Sequence, residues 1–416
     1  MINLNRITGR IRELDVWDLI VFCWMLTLLS SSIGRYMNYS YTITLGAFLV
    51  YFIRRRQINI NYLNILWGAF ILVYPLLNYI IHTPEFFLID IFGYVISFIG
   101  LLAIIEPVRR FGCIVSYIKM RALIEAFFVI LQQLAYPIYV KFAWRILGTW
   151  NYDAGGMALN ISLSAYIIAF GIGAYLFFKK NNKHSVFSAS AIIFCFIALT
   201  FTDKRTLMIV TLFLSILIYF INCDKKTRAY RLLLVPFLLT AVIGIGIWFY
   251  KTYGNENAIG RIIETLIGIS QQKDVSNSRS DIQAVAWNLW EESARTRWFG
   301  IGWGNFKHNF TLFKNTSQAH NIYIQLLCET GMIGLSCFVF VQGVSLISAL
   351  RLFIRNFYET GSRRNLLGVS IFGQLVFGIY GITGNPLYDS TCYLMYFLMI
   401  TLFIAVRRSY GLEKRQ

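Results

Sequence analysis

Apolar residues in this chain fall into long unbroken runs, not the short alternations of a half-buried sheet. The runs lie at about 17–33, 36–53, 61–81, 87–105, 122–140, 157–178, 185–201, 206–222, 232–250, 321–343, 365–383 and 390–406. A helix needs roughly 20 apolar residues to cross ~30 Å of hydrocarbon at ~1.5 Å per residue. The pattern therefore predicts an all-α polytopic membrane protein with about twelve transmembrane helices. The weakest run is 122–140, which carries Glu125, Gln132, Gln133 and Pro137. One sizeable polar segment, Lys251 to Ala319, interrupts the series. The expected organisation is residues 1–250 as helices one to nine, 251–320 as a loop domain, and 321–416 as helices ten to twelve plus a tail.

Composition sharpens this reading. Hydrophobic residues make up 57% of the 416 and charged residues only 14%, against about 25% charged in soluble domains. Mean hydropathy is +0.58. A net charge of +18 could signal nucleic acid, but the distribution of that charge argues otherwise. With the N-terminus in the cytoplasm, the inner ends and loops hold 25 Lys and Arg, and the short outer loops hold 5. The other 8 lie in 251–320, a segment too long for the positive-inside rule to count. The excess charge is a topology signal that sets both termini in the cytoplasm and the polar segment outside, and no nucleic-acid partner is predicted.

Arg6, Arg10 and Arg12 precede the first run, and no small-residue cleavage site follows it. An uncleaved first span is expected. The seven cysteines (Cys23, Cys113, Cys195, Cys223, Cys328, Cys337 and Cys392) fall in spans or on the cytoplasmic side, with no CxxC. They read as packing residues, not as a disulfide framework or zinc site.

Topology puts candidate chemistry on one side. The eighth and tenth runs both enter from outside, so their starts, near Arg205 and His320, face the compartment of the 251–320 segment. A helix N-terminus favours anions through its free N–H groups and macrodipole. Lys204 and Arg205 at one start, and His320 with Asn321 at the other, outline a pocket for a phosphorylated substrate; Arg279 is a third cation on that side. Each has a plainer reading: Arg205 as a snorkelling anchor, Arg279 as a partner of Asp281 or Glu264, His320 as a boundary residue. Ser, Thr, Asp and Asn are the usual helix caps, which weakens that last reading. Glu329 lies nine residues beyond His320, roughly 13–14 Å along a helix, and is either functional or held by a neighbouring helix.

Within the polar segment, "YGNENAIGRIIETLIGISQQKDVSNSRS" contains a short amphipathic piece. "SDIQAVAWNLWEESARTRWFGIGWGNF" predicts a helix capped by Ser280 or Asp281, with Ile282, Val285, Ala286, Leu289 and Trp290 on one stripe. Gly300, Gly302 and Gly304 follow as a turn among Phe299, Trp303 and Phe306. These aromatics suit a membrane boundary or a sugar face. No DxD, GxxxxGK[ST] or HExxH motif occurs, so neither a metal site nor a phosphate loop is indicated and no cofactor is expected. No internal repeat suggests a transporter, and the basic residues sit at the outer edge instead of the midplane.

The stretch "HNIYIQLLCETGMIGL" begins His320-Asn321, runs nine residues to Gly331, then two to Gly334 and Leu335. This resembles the signature of the O-antigen ligase family. "TFTDKRTLMIV", with Arg205 opening a run, is similar to the family's arginine-bearing helix start. "SRSDIQAVAWNLW" with its Phe-Gly-x-Gly turn resembles the segment of the second functional arginine, and "GGMALNISLSAYIIAF" its Gly-Asn entry to a middle span. The likeness covers roughly residues 150–345. It implies a metal-independent, inverting glycosyltransferase of the bacterial inner membrane, with its active site facing the periplasm. The enzyme would move polysaccharide from undecaprenyl diphosphate to lipid A–core oligosaccharide, with His320 as base and Arg205 and Arg279 on the diphosphate. O-antigen polymerases share the architecture, and joining lipid-linked repeat units is the alternative. A lipid-linked sugar transporter is the more distant one.

Overall fold

The computed structural model of the protein describes residues 60–73, 111–142, 156–158, 160–178, 185–202, 204–221, 258–271, 279–308, 318–357 and 361–413, with a few single positions besides. The runs at 17–33, 36–53, 87–105 and 232–250, the latter part of 61–81, Arg6, Arg10, Arg12, Cys23 and Cys223 lie outside the described residues, apart from single positions.

The described residues fold as helices, with no strand among them. In chain order they are α1 (Tyr62–Gly68), α2 (Gly112–Leu134), α3 (Tyr136–Phe142), α4 (Ile161–Phe177), α5 (Ser185–Phe201), α6 (Arg205–Ile221), α7 (Ala258–Ser270), α8 (Arg279–Glu291), α9 (Ala294–Phe299), α10 (Ile322–Arg355), α11 (Ser362–Tyr380) and α12 (Ser390–Glu413). A π-helical turn, Ala69–Val73, continues α1. Among the described residues, two helices are long and apolar enough to cross a membrane, Ile322–Arg355 and Cys392–Gly411. Shorter apolar helices lie at Tyr62–Ile71, Ile161–Phe177, Val186–Phe201 and Arg205–Tyr219.

Asparagines start three of these helices. Asn61 Oδ1 accepts from Leu63 N and Asn64 N, Asn160 Oδ1 from Ser162 N and Leu163 N, and Asn321 Oδ1 from Tyr323 N and Ile324 N. Each satisfies N–H groups that the first turn cannot pair internally.

Three packed pairs run antiparallel. Tyr62 Oη donates to Ser348 Oγ at 2.7 Å and Trp67 Nε1 to Ser345 Oγ at 2.9 Å, so α1 ascends as α10 descends. Lys119 Nζ reaches Phe178 O at 2.9 Å while Glu125 Oε2 accepts Ser164 Oγ at 3.1 Å, which runs α2 against α4. Ser370 Oγ donates to Met399 O, and the Phe377 ring stacks on Tyr396 at 4.0 Å, which runs α11 against α12. Every residue from Cys392 to Val406 is buried, so α12 is a core helix, packed chiefly on α11 and less extensively on α10 and α4. Trp67 anchors one side edge-on to Phe397 at 5.1 Å and to Tyr396 at 5.6 Å. Such close ring packing is what holds helices together where lipid supplies no hydrophobic contrast.

Three expectations change. The run at 122–140 is not one helix: α2 ends at Leu134 and α3 restarts at Tyr136, with Pro137 in its first turn, where proline is tolerated. The loop helix begins at Arg279, so Ser280 and Asp281 are first-turn residues and not its cap. The run at 321–343 lies in a helix that continues to Arg355, but its backbone leaves helical geometry at Gly331, with φ 67° and ψ −172°.

Candidate functional site

The break at Gly331 organises the polar segment around α10. It removes the intrahelical partners of the carbonyls just before it, and the turn after α9 replaces them. Ile301 N donates to Cys328 O and Gly302 N to Glu329 O, each at 2.9 Å. The same turn is held by the Glu329 side chain, which accepts Gly304 N at 3.0 Å, Phe306 N at 3.3 Å, Gln325 Nε2 at 3.2 Å and Tyr388 Oη. Glu329 is 1% exposed. With several donors on two oxygens its burial is compensated, and it acts as a tether within the protein. Two aromatics of the turn pack inward, while Phe299 stays exposed. Phe306 is fully buried, and Trp303 lies 5.8 Å from Phe70 and 6.4 Å from Tyr388. Neither is presented to a boundary or to a ligand surface.

The stripe on α8 completes the docking. Ile282 and Ala286 are buried with Phe306, Ala319 and Cys328, and Val285 and Leu289 flank them. Trp290 instead donates its indole N–H to Arg297 O at 3.0 Å. Packing α8 against the start of α10 carries Arg279, its first residue, toward His320.

A cavity of about 580 Å³ opens where these parts meet. It is lined by first-turn residues of several helices: Ser162 and Leu163 of α4, Arg205, Thr206 and Leu207 of α6, Arg279 of α8, and Cys392 of α12. His320, two residues before α10, and Lys204, immediately before α6, also line it. Helix N-termini carry partial positive charge, and here they are joined by Lys204, Arg205 and Arg279, which leaves cations in excess over the one lining carboxylate, Asp389, among the described residues. The cations are positioned by neighbours. Arg205 Nη1 donates to Thr265 Oγ1 on α7, and Arg279 Nη1 reaches Thr383 O at 3.5 Å.

His320 has φ 52°, the left-handed region that non-glycine residues rarely occupy. Its preceding residue is clamped on both sides of the peptide. Ala319 N donates to Gln325 Oε1 at 3.0 Å, and Ala319 O accepts from Gln283 Nε2 at 3.5 Å. Gln325 also accepts from Asn385 Nδ2 and donates to Glu329, so one buried chain of amides connects His320, the cavity wall and the tethered turn. Burial lowers the His320 pKa, and the charges of Arg279 and Lys204 lower it further. At neutral pH the imidazole is therefore uncharged and able to accept a proton.

Four of the sequence-predicted residues, Lys204, Arg205, Arg279 and His320, thus line one cavity. Asn321 does not line it; its side chain is the α10 cap. Asn160, Tyr380, Asn385 and Asp389 line it without having been singled out as site residues. Asn160 stands in the Gly-Asn entry and caps α4. The Asn-Pro pair at 385–386 marks a turn, and Asp389 Oδ1 accepts Cys392 N at 3.2 Å at the start of α12. These were the available signals. Asn385 keeps its Nδ2 on Gln325, and its buried Oδ1 has no partner among the described residues.

Fold and site together define a class: an all-helical protein with apolar spans, built around a cationic cavity that holds an uncharged histidine. Residues 189–339, a segment that holds Lys204, Arg205, Arg279 and His320, match the model of the O-antigen ligase family. No curated protein matches the chain.

One prediction arises directly. Replacing Arg279 with glutamine removes a positive neighbour of His320, so the His320 pKa rises. Protonated imidazole then persists to higher pH, and the acid limb of any His320-dependent activity moves upward. A pH–rate profile of the variant against wild type checks the sign; an acid limb that stays put or moves down counts against the coupling.

Proposed function

We propose that the protein is an O-antigen ligase, which transfers polysaccharide from undecaprenyl diphosphate to a sugar of lipid A–core at the periplasmic face of the inner membrane. The observation that carries this reading is the shared cavity: a neutral histidine beside a lysine and two arginines at helix starts. Glycosyl transfer from a lipid diphosphate needs a base for the acceptor hydroxyl and counter-charge for the departing diphosphate. His320 takes the proton as the hydroxyl oxygen bonds to the anomeric carbon. Arg205 and Arg279, with Lys204, bind the diphosphate as the carbon–oxygen bond to it breaks. Diphosphate is a good leaving group, so no acid is required, and arginines serve where other enzymes use a metal ion. A single displacement inverts the anomeric centre.

The antiparallel packing supports a multi-pass arrangement. The starts of α4, α6, α10 and α12 all lie at the cavity. They correspond to the sixth, eighth, tenth and twelfth apolar runs, which the charge distribution directs inward from the periplasm. Residues 251–320 then form the periplasmic loop, and both termini are cytoplasmic.

The test is a lipopolysaccharide gel from a strain lacking the protein. Loss of all O-antigen from the core, with long lipid-linked polymer accumulating, is the expected result. A core bearing a single repeat unit would instead identify a polymerase, which needs the same diphosphate cations and differs in its acceptor.

A further inference from the structure

A second cavity lies at the far end of α10 from His320. It holds about 540 Å³ and is lined by Tyr62, Ser348, Arg351, Arg355, Phe403 and Arg407, among others. Three guanidinium groups from two helices line this groove, and no carboxylate is among its described lining residues. Arg351 and Arg355 are one turn apart on α10. Arg407, on α12, stacks over the Tyr62 ring at 4.4 Å, while the Tyr62 hydroxyl is taken by Ser348. Among the described residues no acidic group pairs with any of the three arginines. Glu359, four residues beyond the end of α10, is engaged by Tyr410 Oη. Like charges gathered this closely repel one another and so favour an anion between them.

The surface leading to the groove indicates which anion. Phe340, Ile347 and Ile354 are 60%, 49% and 68% exposed. They recur every seven residues, so they form one apolar stripe along α10 that ends at the arginines. From the break at Gly331 to Arg351 the helix is uninterrupted for 20 residues, roughly 30 Å at ~1.5 Å each. That matches the ~30 Å of hydrocarbon between the two headgroup layers. An apolar track ending in a cationic notch at headgroup depth fits an acyl chain and its phosphate.

We infer that the groove of Arg351, Arg355 and Arg407 is a binding site for the phosphate headgroup of an anionic phospholipid, whose acyl chain lies along Phe340, Ile347 and Ile354, at the membrane face opposite the His320 cavity. The guanidinium forks bind the phosphate oxygens, and the site ties the ends of α1, α10 and α12 to the lipid layer. This assignment is independent of the reaction proposed for the other cavity.

The test uses the delipidated full-length protein in detergent, titrated with phosphatidylglycerol, phosphatidylcholine or inorganic phosphate and read by native mass spectrometry. The comparison is wild type against the R351Q/R355Q/R407Q variant. A basic side chain near an anionic headgroup is worth roughly fivefold in affinity, so the triple variant should lose at least about tenfold in phosphatidylglycerol retention. Phosphatidylcholine retention should not change. Ser348→Glu, which adds a negative charge to the groove and keeps all three arginines, should lose phosphatidylglycerol likewise, and this guards against misfolding of the triple variant. Equal retention of phosphatidylglycerol by wild type and both variants overturns the assignment. So does displacement of the lipid by equimolar inorganic phosphate, which would make this a free-anion site.

Discussion

Replacing His320 with alanine should abolish glycan transfer while leaving the donor bound. A positioned base contributes about 10²–10⁴-fold to a proton-transfer step, and no other described residue lining the cavity combines an uncharged nitrogen base with the neighbouring cations. Lys204, Arg205 and Arg279, the proposed diphosphate ligands, remain, so donor affinity should change by less than about tenfold, as expected when an interaction specific to the transition state is lost. His320→Asn is the informative partner variant, because asparagine tolerates the left-handed backbone at φ 52° and offers no proton acceptor of comparable basicity. Both variants should fail in transfer, and the asparagine form should fold at least as well. Wild-type turnover in either one would remove His320 from the chemistry.

The same geometry predicts how the wild-type rate responds to acid. Burial, Arg279 and Lys204 all hold the His320 pKa below the ordinary value of about 6.5. Activity is therefore full at neutral pH and falls as pH drops through that lowered pKa. A bound diphosphate offsets part of the cationic field, so the pKa rises in the complex. The acid limb of kcat should then lie at higher pH than that of kcat/KM, which reports the free enzyme.

Helix positions were largely legible because apolar runs need only local information. The runs at 157–178, 185–201, 206–222, 365–383 and 390–406 return as α4, α5, α6, α11 and α12 within a few residues, except at the C-terminal end of α12. The cations and His320 were legible by parity, since alternate helix starts must share a side. What the pattern hid was everything set by distant partners. Asn385 and Asp389 reach the cavity only through the docking of α11 and α12 on the rest of the bundle. Glu329 could be read either as functional or as held by a neighbour because its donors at Gly304, Phe306 and Tyr388 come from other segments. The interruption at Gly331 was invisible too, since Met332 and Ile333 continue the apolar run.

That interruption carries the largest expected effect on stability. Gly331→Ala should disrupt the docking of the polar turn and inactivate the protein, although Gly331 does not line the cavity. Its φ of 67° with ψ −172° belongs to a region open almost only to glycine. A Cβ there would meet Trp298 C and O at 2.3 Å, backbone atoms that cannot swing aside as a side-chain tip would. Gly300 stands in the reciprocal position, its own added Cβ meeting Glu329 C and O at 2.3 Å. The two backbones therefore pass at a separation only paired glycines permit. Strain and overpacking together cost about 2–6 kcal/mol. Relieving them means undocking the turn, which strips Glu329 of its amide donors and loosens the Gln325 clamp behind His320. Gly343→Ala supplies the contrast: on the same helix its Cβ would meet nothing within 4 Å, and alanine gains about 1 kcal/mol of helix propensity there. Thermal unfolding in detergent should separate the two, with Gly331→Ala melting well below wild type and newly cleaved by protease near 300–308, and Gly343→Ala melting at or above it. If the two variants melt alike, the close passage at Gly300 and Gly331 does not hold the site together.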